Sequence, residues 1–157
     1  MKNVGVGLEM QLPLTSKRLD CLLTGVNESG HASAVIIELK QWADAEASSI
    51  VDFVVAYVGQ SFRDMLHPSE QAQRYEQYLE DSSTAFSDGE VRLAACSYLS
   101  NHQHNSGSAL VASKFTDLLA QVPMSSGDQT HELGHPTPAA GLGRRTRDTQ
   151  ADLSQQI

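Results

Sequence analysis

Asp20, Glu38 and Lys40 are the residues of this chain whose types and spacing suit chemistry. They stand in the stretch RLDCLLTGVNESGHASAVIIELKQW, Arg18 to Trp42, with apolar side chains around all three. A charge inside an apolar run is costly unless a partner compensates it. Two carboxylates held side by side favour either a divalent cation or a raised pKa on one of them. A lysine two residues beyond the second carboxylate adds a positive charge able to steady developing negative charge.

Such a constellation needs two strands and a tight turn to assemble it. Asn27, Glu28, Ser29 and Gly30 are all turn formers. A three-residue loop with Gly30 in the left-handed position is a common hairpin connection. Its midpoint is Ser29, so the spacing predicts Asp20 directly opposite Glu38. Opposed side chains then sit about 5 Å apart, and like charges there repel. Side chains alternate along a strand, which places Ala34, Ile36, Glu38 and Lys40 on one face.

Other elements must frame this hairpin. Val4, Val6, Leu8, Met10 and Leu12 alternate with polar or small residues, predicting a half-buried first strand. Glu9 on its polar face is either a solvated strand glutamate or an auxiliary carboxylate of the site. Ser33 to Leu39 is almost continuously apolar, as expected of a central strand covered on both faces. Trp42 packs over the sheet edge or stacks on a base. Ala43 to Ser49 reads as a loop or short helical turn. The segment from Ile50 to Val58 favours a strand over a helix, with Gly59-Gln60 turning into a second strand through Leu66.

His67-Pro68-Ser69 predicts a helix start with Ser69 as N-cap, running to about Asp81. Gln71 and Tyr75, four apart, share one face of it. Ser82 to Gly89 reads as a loop, and Glu90 to Leu99 as a further strand. His102 and His104 read as exposed loop histidines. Ser108 to Val122 reads as an amphipathic helix. Cys21 and Cys96 fall in predicted strands as buried free thiols.

The pattern Asp20, a turn, then Glu38-Leu39-Lys40, followed by Gln71-Ala72-Gln73-Arg74-Tyr75, resembles the PD-(D/E)XK nuclease superfamily, in its RecB-like branch with a QxxxY helix. The proline of the motif is absent here. The resemblance implies an α/β fold with a mixed twisted sheet, an N-terminal β-meander flanked by helices and a restriction-endonuclease-like core. It also implies hydrolysis of DNA phosphodiester bonds. Asp20 and Glu38 would bind Mg²⁺ or Mn²⁺ with the Leu39 carbonyl, Lys40 would complete the catalytic set, and Gln71 and Tyr75 would contact or order the nucleic acid. The run from Arg18 through Tyr78, with HPSxQ and the strand ending Cys96-Ser97-Tyr98-Leu99, further resembles the nuclease-like module that precedes a helicase-like P-loop ATPase in bacterial proteins. A helicase or ATPase partner is therefore expected, and no G-x-x-x-x-G-K-[ST] stands in this chain. A non-catalytic nucleic-acid-binding or assembly module is the alternative.

The 157 residues suit one domain, expected over 1–123, with a disordered tail over 124–157 rich in Gly, Ser, Thr, Pro and Gln. A net charge of −8 argues against a broad electrostatic surface for nucleic acid. A local basic groove remains open to Lys17, Arg18, Lys40, Arg63 and Arg74. No signal peptide or run of transmembrane length is visible, so the cytoplasm and no membrane partner are expected. His131-Glu132-Leu133-Gly134-His135 matches the H-E-x-x-H of zinc peptidases. Gly134, Pro136 and Pro138 are poor company for the helix such a motif needs.

Overall fold

The computed structural model describes residues 2–129. In chain order the strands are β1 (Lys2–Gln11), β2 (Arg18–Val26), β3 (Ala32–Lys40), β4 (Glu46–Ala47), β5 (Phe53–Val58), β6 (Ser61–Leu66), β7 (Val91–Leu99) and β8 (Met124–Ser126). The α-helices are α1 (Pro68–Ser82), α2 (Thr84–Ser87) and α3 (Thr116–Gln121). The fold is α/β: a mixed five-stranded sheet ordered β1-β2-β3-β7-β8 and a three-stranded sheet ordered β4-β5-β6. Strands β1, β2 and β3 form an antiparallel meander, and β7 and β8 run parallel to β3.

The β2–β3 hairpin follows from its loop. Gly30 has φ +83°, and its N–H donates to the Asn27 carbonyl at 3.1 Å. The Asn27 side chain accepts from the N–H groups of Ser29 and His31 at 3.0 and 2.8 Å. Local chemistry thus closes the turn and fixes the register, which runs from Val26 opposite Ala32 to Cys21 opposite Ile37. Continued by one residue, it sets Asp20 against Glu38, as the spacing predicts. Strand β3 is the middle strand of the five.

Helix α1 crosses over between β3 and β7 and covers one face of the sheet. Ala72, Tyr75 and Leu79 pack with Ile36, Ala95, Leu12, Leu19 and Val122 in the larger core cluster. A smaller cluster of Ala45, Val54, Leu99, Leu110 and Phe115 joins the two sheets, with Trp42 packed against it. Cys21 is buried and Cys96 half-buried, and both thiols are free.

Several expectations are corrected. The apolar stripe of β1 is not half-buried: Val4, Val6, Leu8 and Met10 are all exposed. The strand lies at the sheet edge and α1 covers the opposite face. Leu39 is likewise exposed, so β3 is not fully covered on both faces. The cap of α1 is His67, whose Nδ1 accepts from the Ser69 N–H at 3.1 Å; Ser69 lies inside the helix. The 43–49 stretch contributes the short strand β4, and α2 forms a single turn within the expected 82–89 loop.

The helix expected over 108–122 is broken into 3₁₀ turns at Ala109–Val111 and Ser113–Phe115 before α3. Extended backbone at Ala112 interrupts it, and the Lys114 ammonium donates to the carbonyls of Ser48, Ile50 and Phe53. His102 is buried rather than exposed, with Nδ1 2.8 Å from the Ala43 carbonyl.

Regular structure also runs past the expected boundary at 123. Met124–Ser126 pairs with Ser97–Leu99, and Gly127 follows where a Cβ would collide with the Ser100 carbonyl. The rest of the expected tail and the His131–His135 motif lie outside the described residues.

Candidate active site

Alternation along β3 turns Glu38 and Lys40 toward the face that α1 covers, beside the buried Ile36. Glu38 is 1% exposed. Its Oε1 lies 2.7 Å from the Lys40 ammonium, while its Oε2 has no hydrogen-bond partner among the described residues. Burial pushes the Glu38 carboxyl up to about 7; the Lys40 charge opposes that rise and the neighbouring Asp20 adds to it. Glu38 is thus poised between its two protonation states near neutrality.

Asp20 is half-buried where the β2–β3 ladder ends. Its carboxylate accepts the Leu39 N–H at 2.8 Å, a side-chain continuation of the ladder. That bond pins the Asp20 side chain across the strand gap, next to Glu38.

Helix α1 supplies the other side. The Lys40 ammonium donates to Gln71 Oε1 at 3.3 Å, and Gln71 Nε2 donates to the Tyr75 hydroxyl at 3.0 Å. Gln71 and Tyr75 sit one turn apart, so one residue reaches the lysine and the next braces the first. Lys40 is also 5.7 Å from the Trp42 ring centre. Asp20, Glu38, Lys40, Gln71 and Tyr75 therefore form one connected cluster drawn from β2, β3 and α1.

A cleft of about 690 Å³ opens beside this cluster, lined by Asp20, Leu39, Lys40, Leu8, Glu9 and Tyr98 among others. Glu38 is not on its wall; Asp20 and Lys40 stand between. Glu9 does line the cleft, beside Asp20. Of the basic residues near the motifs in sequence, only Lys40 reaches it. Arg74 is paired with Glu70 at 2.8 Å and Asp52 at 3.6 Å.

The positioning of α1 depends on three further residues, His67, Ser69 and Ser97. Glu38 is level with Ser97 of β7 in the parallel ladder, and the Ser97 hydroxyl lies 2.9 Å from that of Ser69 in the first turn of α1. His67 Nε2 bonds the Leu110 carbonyl at 3.0 Å while Nδ1 caps the helix, which assigns the proton to Nε2. Its ring lies on Phe115 with centres 4.2 Å apart. Burial holds the His67 pKa down to about 4. The sequence signal was available in His67-Pro68-Ser69, since a polar residue before a proline at the first helical position is a cap site.

Among the described residues no group of three or more His, Cys, Asp or Glu side chains is arranged to hold a metal ion. Among the described residues, too, no helix is long and apolar enough to cross a membrane. Comparison with protein-family models, curated proteins and solved structures finds no match.

Proposed function

We propose that this chain is a metal-dependent, PD-(D/E)XK-type nuclease-like domain that hydrolyses DNA phosphodiester bonds. One observation carries the reading: Glu38, Lys40, Gln71 and Tyr75 form one chain of side-chain contacts, Asp20 is pinned beside it by the Leu39 N–H, and Asp20 and Lys40 line a cleft. The β1–β2–β3 meander, the crossing α1 and the parallel β7 agree with the restriction-endonuclease-like core that the motifs imply.

The donor set fits a hard cation. Glu38 Oε2 is a buried oxygen without a partner, and Asp20 lies beside it. Mg²⁺ or Mn²⁺ takes oxygen ligands and keeps several waters, so two carboxylates with the Leu39 carbonyl suffice. When bound, such an ion polarises a phosphate and lowers the pKa of an attacking water. Asp20 and Glu38 would hold it at the open end of the hairpin, away from the turn. Lys40, braced by Gln71 and Tyr75, would leave Glu38 to donate to a phosphate oxygen in the cleft. Glu9, Asp20 and Glu38 outnumber Lys40, so an anionic substrate binds poorly unless a cation offsets them.

The test is cleavage of plasmid and single-stranded DNA with Mg²⁺ or Mn²⁺. Wild type should cut, Asp20→Ala should lose both metal binding and cutting, and Lys40→Ala should lose cutting while metal binding survives. If neither substitution changes metal affinity or cleavage, the cluster is structural. A second reading, a non-catalytic DNA-binding or assembly module for a helicase-like ATPase, is favoured by one observation: Glu38 is buried behind Lys40 and absent from the cleft wall. Metal binding without cleavage of any DNA form would select it.

A further inference from the structure

The three-stranded sheet has two unlike faces. Alternation along β5 turns Val54 and Ala56 inward, where both are buried, and turns Val55 and Tyr57 outward. The register carries that outer face across all three strands. Glu46 lies beside Val55, Val55 beside Asp64, and Tyr57 beside Phe62. Tyr57 and Phe62 remain 61% and 63% exposed, with ring centres 5.3 Å apart and planes at 65°. A cross-strand aromatic pair stabilises a hairpin on its own, so the rings alone do not point to a ligand.

Their surroundings do. A concavity of about 170 Å³ is lined by Asp44, Ala45, Glu46, Val55, Tyr57 and Phe62. Asp44 and Glu46 place two carboxylates on that wall, and among the described residues no lysine or arginine lines it. The Ser108 hydroxyl, bonded to Asp44 at 2.6 Å, holds the Asp44 carboxyl below its usual range and keeps it anionic. Asp64 shares the outer face one strand away. Aromatic rings attract a cation through their negative faces, and carboxylates beside them strengthen the attraction. An anion would be repelled, and a purely apolar group would desolvate the carboxylates without replacing their hydration.

We propose that this face binds a lysine ammonium or arginine guanidinium presented by a basic polypeptide partner. The concavity suits one side-chain head group and is smaller than the roughly 300 to 1,000 Å³ of drug-sized ligand sites. The chain's net charge of −8 adds long-range attraction for such a partner. The proposal does not depend on the nuclease reading, since the face belongs to the second sheet.

The intact chain would be titrated by NMR with a lysine-rich decapeptide, an arginine-rich one and a glutamate-rich control. Saturable shifts at the Tyr57 and Phe62 rings and along β4 to β6 are expected with the basic peptides and none with the acidic one. Phe62→Leu keeps apolar bulk on the sheet but removes the ring, and should weaken binding about threefold or more. Glu46→Gln, an exposed change that leaves the fold intact, should weaken it severalfold. The proposal is overturned if both folded variants bind like wild type, if the acidic peptide binds equally, or if the shifts map to the Asp20 cleft.

Discussion

Glu38 and His67 are both titratable side chains taken out of water, and the protein treats them in opposite ways. At the cap of α1, His67 has every polar atom matched: Nδ1 accepts from Ser69, Nε2 donates to Leu110, and Phe115 covers the ring. At the end of the meander, Glu38 has one oxygen on Lys40, none on the other, and a second carboxylate alongside. Burial is common to both; what differs is how completely their polar atoms are matched, and an unmatched buried oxygen is costly unless something else offsets it.

The sharpest way to break this contrast is to remove each group in turn. His67→Ala deletes the cap, leaves the Leu110 carbonyl without its donor and opens a void against Phe115. Those losses together should cost about 4 kcal/mol. Glu38→Gln keeps the shape and one acceptor for Lys40, and at pH 8 should change stability by no more than about 1 kcal/mol. Urea unfolding of the two variants measures both. Equal losses would show that Glu38 is as structural as His67.

The two groups should also give opposite pH dependences. His67 is held at about 4 against an ordinary 6.5, so the unfolded chain takes up its proton first. Its contribution is fully present above pH 6.5 and is lost as pH falls toward 4, on the order of 3 kcal/mol at most. Glu38 is pushed up to about 7 from an ordinary 4.5, by burial first. The folded state keeps a proton that the unfolded state releases, so this contribution is present below pH 4.5 and is lost as pH rises through 7. Glu76, raised to about 7 by burial and then by Glu80, has the same sign. Wild type should thus lose stability from pH 4.5 to 7, two glutamates outweighing one histidine. In Glu38→Gln the profile should be nearly flat. Urea midpoints across that range check it, and an unchanged slope would mean that Glu38 titrates normally.

How much of this was legible beforehand follows the range of the interactions involved. Asn27 and Gly30 act locally, so the loop, the register and the opposition of Asp20 to Glu38 could be read from the chain. Gln71 and Tyr75 are local to one helix, and their spacing alone put them on one face. The burial of Glu38 behind Lys40 was not readable, because it depends on where α1 settles over the sheet. The exposure of Val4, Val6 and Leu8 escaped for the same reason: alternation shows that a strand has an apolar face, and only the tertiary arrangement decides whether anything covers it. Strand β8 was hidden by composition, since Met124-Ser125-Ser126 has little intrinsic strand preference and is held by pairing with β7.

Metal addition tests Glu38 without removing it. With Mg²⁺ or Mn²⁺ at ten times its dissociation constant, the folded state should gain about 1.4 kcal/mol at pH 8. Binding must displace the Glu38 proton, so affinity should fall by up to tenfold per unit below pH 7 and level off above it. Glu38→Gln should abolish the gain, and a distant change at the helix cap should not. Calorimetry on demonstrably folded protein reads all three. No binding at millimolar metal and pH 8 would end the nuclease reading while leaving the expectations for His67 untouched.

A further contrast lies at the joint between the two regions. Ser97 stands level with Glu38 in the sheet, and Ser69 donates its N–H to His67, so their mutual hydroxyl contact at 2.9 Å ties one region to the other. Both side chains are fully buried. Ser97→Ala leaves the Ser69 hydroxyl unmatched and should cost about 1 to 2 kcal/mol. Ser69→Ala should cost a similar amount. The double variant should cost less than the sum, because the second change removes a group already orphaned by the first. A coupling near zero would mean that the hydroxyl pair does not hold α1 in place. Lys40 and Gln71 would then owe their meeting to the apolar packing of Ala72, Tyr75 and Leu79 alone.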